Sequence, residues 1–113
     1  MKIILAGAGA FGQKHLEAIR AIGGIEVVAL VGRTLEQTHE VAAKFGVPHV
    51  TTELAATLDR PGVDAVILAT PTQLHAAQAI QCMRAGKHVQ VEIPLADRWT
   101  DAQHVARVQR ETG

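Results

Sequence analysis

The chain contains no tyrosine, and Phe11, Phe45 and Trp99 are its only aromatic residues in 113. So few aromatic faces leave no platform on which unpaired bases stack. Charge supplies no substitute. Eleven Lys and Arg residues balance eleven Asp and Glu, the formal net charge is zero, and no basic block stands out. A nucleic-acid partner is therefore not indicated. The single cysteine, Cys82, excludes an internal disulfide. With Met83 beside it on an expected helix, it reads as core rather than as a nucleophile. His75, Cys82 and His88 lack a compact zinc spacing, so no metal is expected. No apolar run approaches the length that crosses a bilayer, so no membrane partner is expected either. A signal peptide's arrangement is missing too, because glycines and the polar Gln13–Lys14–His15 follow only four residues of apolar strand. The default expectation is a cytoplasmic protein.

What is present is a large aliphatic fraction in a chain short enough for one domain. Apolar residues make up 48%, mainly Ala, Val, Leu and Ile. The most informative stretch is Ile3–Gly12. An apolar run, Ile3–Ile4–Leu5–Ala6, feeds Gly7-Ala8-Gly9-Ala10-Phe11-Gly12, and a helical pattern starts at once. Glycines at this spacing permit a tight strand-to-helix turn, approach of the backbone to a pyrophosphate, and close packing of helix on strand. The free N–H groups at the helix start then face the phosphates.

The rest of the chain repeats the strand–helix alternation. The first helix is expected from Phe11 to Ile22, with Phe11, His15, Ala18 and Ile22 as its spaced positions, and Gly23–Gly24 ends it. Ile25–Val31 is a strand of the type covered on both faces. Thr34 with Gln37 forms a capping box for a helix carried by Leu35, Val41, Ala42 and Phe45. His49–Thr51 is a short strand, Glu53–Leu58 a short helix, and Asp64–Ala69 a fourth strand. Thr72 is a possible cap for a helix reaching Arg84, and Lys87–Val91 is the fifth strand. A last helix opens near Thr100, with Gln103 as a second capping box and Ala102, Val105 and Val108 as its buried stripe. Trp99 is expected to pack against it.

Five strands joined by helical crossovers imply an α/β fold: a Rossmann-type, doubly wound parallel sheet in three layers, helix–sheet–helix, with order 3-2-1-4-5. Ligand would sit beyond the carboxyl ends of strands one and four. A six-stranded sheet would need one more strand after the last helix, so residues 1–113 read as an incomplete dinucleotide-binding domain without a substrate domain.

Twenty residues past Gly12 an NAD site usually carries a carboxylate for the ribose hydroxyls. Here the chain has Gly32–Arg33–Thr34 instead. A small residue followed by Arg33, with the Thr34 hydroxyl beside it, suits a 2′-phosphate and favours NADP. At the other end, Thr70–Pro71–Thr72 leaves the fourth strand and Glu92 and Pro94 end the fifth, all bordering the nicotinamide half. His75 can reach a ribose or serve packing, and His15 is open to the same alternatives. No residue is assigned as the catalytic base, because its pose relative to a hydroxyl is not fixed by sequence.

These motifs together resemble the glucose-fructose oxidoreductase, inositol dehydrogenase and rhizopine-catabolism superfamily. The matching residues are Gly7–Gly12 with His15, Ala69–Thr70–Pro71–Thr72 with His75, and Ala85–Gly86–Lys87–His88–Val89 running into Glu92–Ile93–Pro94–Leu95–Ala96. They cover nearly the whole chain in order. The family usually has Glu-Lys-Pro where this chain has Glu92–Ile93–Pro94, so the lysine's part in proton transfer or substrate positioning has no counterpart. The string Val89–Asp97 resembles a branch of NADP-dependent dehydrogenases of bacterial aromatic degradation that oxidise a cyclic hemiacetal to a lactone.

The resemblance implies that the glycine turn holds the pyrophosphate and that Arg33 and Thr34 hold the 2′-phosphate. Thr70, Pro71, Thr72, His75 and Glu92 then belong to the nicotinamide end. It also implies a small-molecule carboxylate substrate, and a carboxyl-terminal α/β domain, absent from these residues, that completes the substrate site and builds a homo-oligomer. Two other readings stay open: a sugar or polyol dehydrogenase of the same superfamily, and a nucleotide-binding module without catalysis.

Overall fold

The computed structural model describes residues Met1–Gly113. Strands and helices alternate along the chain: β1 Lys2–Ala6, α1 Ala10–Ile22, β2 Glu26–Val31, α2 Leu35–Phe45, β3 His49–Thr51, α3 Leu54–Leu58, β4 Ala65–Leu68, α4 Thr72–Arg84, β5 His88–Val91 and α5 Trp99–Thr112. The strands form one parallel sheet of order β3-β2-β1-β4-β5, as the alternation implies. Its carboxyl ends are level, because Ala6 pairs with both Val31 and Leu68, and Leu68 pairs with Val91. Four turns therefore emerge side by side along one edge.

Strand residues alternate between two buried layers, as period-two side chains must. Leu5 and Leu30 point toward α1 and α2, where they meet Leu16, Val41, Ala42 and Val47. Ile4, Ala6, Val31, Val66 and Leu68 point the other way, toward α3, α4 and α5, and meet Leu54, Leu58, Ala79, Cys82 and Val105. Burial on both faces explains the nearly continuous apolar strands. Each fully buried Leu contributes about 1.5–3 kcal/mol by leaving water.

Several local expectations are corrected. The buried face of α1 is Gly12 and Leu16, whereas Phe11 and Ile22 are each 68% exposed. The stripe is rotated because Gly12 must lie against the glycine turn, which turns Phe11 outward. Leu35 on α2 is exposed for a related reason: Thr38, Val41 and Ala42 take the inward positions. Thr34 does cap α2, its hydroxyl accepting from Gln37 N at 3.4 Å. Thr72 does not cap α4. Pro71 occupies the cap position, so Thr72 is already inside the first turn. Thr100 likewise lies inside α5, which starts at Trp99 behind Arg98 without a side-chain cap. Trp99 is 76% exposed at that helix end and is no packing anchor, while Val105 and Val108 form the buried stripe.

Candidate nucleotide site

A crevice of about 810 Å³ runs over the carboxyl ends of the central strands. Its floor is laced by backbone bonds just past the strands. Gly7 N donates to Val31 O at 2.8 Å, Ala69 N to Ala6 O at 2.7 Å, and Gly32 N to Thr51 O at 3.0 Å. Of the residues expected at a dinucleotide, Gly7, Gly9, Ala10, Phe11, Arg33, Thr70 and Pro71 line it. Gly12, Thr34, Thr72, His75 and Glu92 stand behind or beside that lining.

The three glycines have different tasks. Gly7 has φ +119°, and a Cβ there would lie 2.4 Å from Ala69 O. A Cβ on Gly12 would lie 1.9 Å from Gly7 O, so α1 seats directly on the turn. A Cβ on Gly9 would meet nothing within 4 Å. Gly9 thus borders open space, the room a bound group needs to approach the backbone. At this point α1 begins with no side-chain cap and no acidic residue in its first turn. Its first intrahelical bond runs from Gln13 N to Gly9 O, which leaves the preceding N–H groups without helical acceptors. Unpaired donors, the positive end of a helix dipole and open space together fit a pyrophosphate. Gln13 also braces the turn, its Nε2 donating to Ala8 O at 3.2 Å.

At the β2 end, Arg33 is exposed, forms no ion pair, and is the only charged residue lining the crevice. Thr34 lies next to it. Its hydroxyl oxygen accepts from Gln37 N, so the hydroxyl proton stays available to an external acceptor.

The opposite end is organised by histidines. His75 is 1% exposed. Its Nδ1 lies 2.8 Å from Pro94 O and its Nε2 2.7 Å from Thr70 O. Both ring nitrogens are therefore taken up by backbone carbonyls from the turns after β4 and β5. A neutral ring brings one proton to that pair of acceptors, and a doubly protonated ring brings two. His75 binds the crevice's two walls to each other and presents no ring nitrogen to a ligand. Thr70 Oγ1 donates to Gln78 Oε1 at 2.6 Å, holding the same turn to α4. On the other face of the sheet, His15 of α1 pairs with the Glu92 carboxylate at the end of β5. Both are only partly buried. Ile93, next along, is 92% exposed, and the Ile93–Pro94 bond is cis. Toward the far end of α4, beside the start of β5, Cys82 is wholly buried and its thiol is pushed up to about 11 by desolvation. That places it in the core and keeps it from acting as a nucleophile.

Gln37, Thr52, Gln73, Leu74 and Gln78 also line the crevice, although the sequence motifs single out none of them for the ligand. Leu74 and Gln78 are one helical turn apart beyond Pro71, so helical spacing from the Thr70–Pro71 turn was a usable signal. Thr52 carries no such signal, since it follows a strand of three residues.

Sheet order, a glycine turn at the β1/β4 switch point, and uncapped donors facing a crevice define a dinucleotide-binding Rossmann domain. A family model described as the oxidoreductase family with an NAD-binding Rossmann fold matches residues 1–113. The chain belongs to this glucose-fructose oxidoreductase, inositol dehydrogenase and rhizopine-catabolism family. It is 60% identical over 113 residues to 4-carboxy-2-hydroxymuconate-6-semialdehyde dehydrogenase from Sphingobium sp. strain NBRC 103272 / SYK-6, covering 100% of this chain and 36% of that protein. It is 36% identical over 110 residues to 1,5-anhydro-D-fructose reductase from Ensifer adhaerens, covering 96% of this chain and 33% of that one. Among solved structures, biliverdin reductase from Synechocystis sp. PCC 6803, in complex with biliverdin and NADP+, superposes with a TM-score of 0.91 at 31% identity, over 99% of this chain and 35% of that one. A probable dehydrogenase from Thermotoga maritima gives 0.94 at 26% identity, over 99% and 34%. The chain thus spans about a third of the length of the relatives it matches. No helix is long and apolar enough to cross a membrane.

Proposed function

We propose that these residues form the cofactor-binding part of a cytoplasmic, NADP-dependent dehydrogenase. The reaction is oxidation of the cyclic hemiacetal of 4-carboxy-2-hydroxymuconate-6-semialdehyde to 2-pyrone-4,6-dicarboxylate. The observation that carries this reading is 60% identity with the Sphingobium enzyme across the whole chain. Lone Arg33 in the crevice supports the choice of NADP.

In this reading the uncapped N–H groups of α1 and the open face at Gly9 receive the pyrophosphate. Arg33 grips the 2′-phosphate with paired N–H donors, aided by the Thr34 hydroxyl. Thr70 and Pro71 form the wall of the nicotinamide end. His75 positions that wall from behind through Thr70 O and Pro94 O, and His15 steadies Glu92 at the rim. When bound, the nicotinamide accepts the hydride removed from the hemiacetal carbon. Ile93 moves no proton and no residue of 1–113 is assigned as the base, and the resemblance implies that this group lies in a carboxyl-terminal domain. That further part of the enzyme also supplies the partners of the substrate carboxylates and the surface for homo-oligomer formation.

The test is turnover by the full-length enzyme carrying this segment, followed by NADPH absorbance with the hemiacetal as substrate. Lactone formation coupled to NADP reduction is expected. Turnover of inositols or sugars with none of the hemiacetal would overturn the assignment.

A further inference from the structure

Gly32 stands twenty residues past Gly12, at the position where a ribose-binding carboxylate is carried when NAD is the cofactor. Its backbone does not require glycine, since its φ lies outside the left-handed region. Its surroundings do. A Cβ there would lie 1.9 Å from Thr38 Oγ1, 2.9 Å from Thr38 Cβ and 3.0 Å from Thr38 Cγ2. Thr38 is on α2, wholly buried, and its hydroxyl donates to Thr34 O at 2.5 Å, the same carbonyl that accepts Thr38 N at 3.1 Å.

Rotating Thr38 takes Oγ1 off the 1.9 Å contact only by pulling its hydroxyl from the Thr34 carbonyl inside a dry layer, and Cβ stays 2.9 Å away. Helix preference does not account for the residue either. A small buried position in a helix is better served by alanine, which has the higher propensity. What threonine adds over alanine is the pair of atoms, Oγ1 and Cγ2, that fill the space above Gly32.

We infer that Thr38 sets cofactor choice from behind the site. By filling the space a side chain at 32 would need, it keeps a carboxylate out of the ribose-reading position and leaves Arg33 as the only charge there. Thr38 touches no cofactor. It is a specificity-determining, positioning residue acting through Gly32, and the inference rests on the NADP reading above. It also states why a single Gly32→Asp exchange does not convert the site to NAD. The carboxylate needs Thr38→Ala as well, which removes the two nearest obstructions save the Cβ at 2.9 Å, a gap closed by a shift of a few tenths of an ångström.

The experiment is a cycle in the full-length enzyme carrying this segment. Gly32→Ala, Thr38→Ala and the double variant are compared by thermal melting, and Gly32→Asp with Gly32→Asp/Thr38→Ala are titrated calorimetrically with NADPH and NADH. Expected are a lowered melting temperature for Gly32→Ala that Thr38→Ala largely restores, and no measurable binding of either cofactor by Gly32→Asp. The Gly32→Asp/Thr38→Ala double is expected to bind NADH at least tenfold tighter than the parent does. The change in the NADH-to-NADPH ratio is what a purely structural threonine would not produce. If Gly32→Asp alone shifts that ratio as far as the double, or if the alanine effects on melting simply add, the inference is wrong. A parent chain that binds NADPH and NADH equally would instead sink the NADP reading, so the two failures are told apart. Should the Asp double not fold, the uncharged Gly32→Asn/Thr38→Ala double replaces it in the same titration, and an NADH-to-NADPH ratio no different from that of Gly32→Asn alone overturns the inference.

Discussion

The two ends of the crevice are built on different principles. The end formed by the glycine turn and the close of β2 is shaped by missing side chains: Gly7 against Ala69 O, Gly12 against Gly7 O, and Gly32 against Thr38. Gly7 and Gly12 meet backbone atoms and leave no slack, while Gly32 meets the side chain of Thr38. The end formed by the turns after β4 and β5 is shaped by added side chains. His75 reaches two carbonyls, Thr70 reaches Gln78, and His15 reaches Glu92. Steric contact at the first end fails abruptly, because repulsion rises steeply with overlap. Hydrogen bonds at the second fail gradually, because water or a substitute amide replaces part of what is lost. The first end suits rigid recognition of phosphates. The second can be adjusted for the reacting part of the ligand without dismantling the sheet.

That contrast breaks most readily at Gly12. Gly12→Ala forces α1 off the turn and is expected to cost on the order of 3 kcal/mol, with loss of NADPH binding. Chemical denaturation with a cofactor titration checks it, and near-normal stability would mean the turn has the slack denied above. His75→Leu comes next. It leaves Thr70 O and Pro94 O without their donor and is expected to cost about 2 kcal/mol, of which His75→Gln recovers part. Equal losses for Leu and Gln would show that ring shape, not hydrogen bonding, holds this end.

A smaller effect is expected from pH. Burial raises the Cys82 thiol from 9.0 to about 11, so the folded chain keeps a proton that the unfolded chain releases between those values. The contribution is complete below pH 9.0 and is lost as pH rises toward 11. Melting temperatures of the parent should therefore fall more steeply than those of Cys82→Ala over that interval. Parallel curves would place the thiol in contact with water. The smallest change is expected from Glu92→Gln. The pair it breaks is partly exposed, so stability should drop by less than about 1 kcal/mol, and less still at high salt. A larger, salt-insensitive loss would make the His15–Glu92 pair a structural equal of His75.

The same division governs what could be read in the sequence. Strand order, the glycine turn and the Thr34 cap depend on residues close in the chain or on crossover rules, and all were legible. The facing of α1 was not, because the spacing of Phe11, His15, Ala18 and Ile22 shows a period but not which side meets the sheet; the seat of Gly12 on Gly7 decides that. The sequence leaves His75 open to a ribose or to packing, because its partner Pro94 lies nineteen residues on and is brought near only by β5 pairing beside β4. His15 and Glu92 are 77 residues apart, and nothing local in the sequence links them. Gly32 reads in the sequence as a small residue, and its close contact with Thr38 is invisible until α2 is laid against β2.

The measurement that bears most directly on this account is a calorimetric titration of the purified chain with NADPH and with NADH, repeated on Arg33→Ala. The account predicts tighter binding of NADPH, with the preference largely abolished in Arg33→Ala and a fall in NADPH affinity of about tenfold or more. Equal affinities in the parent, or a preference that survives removal of Arg33, would contradict it.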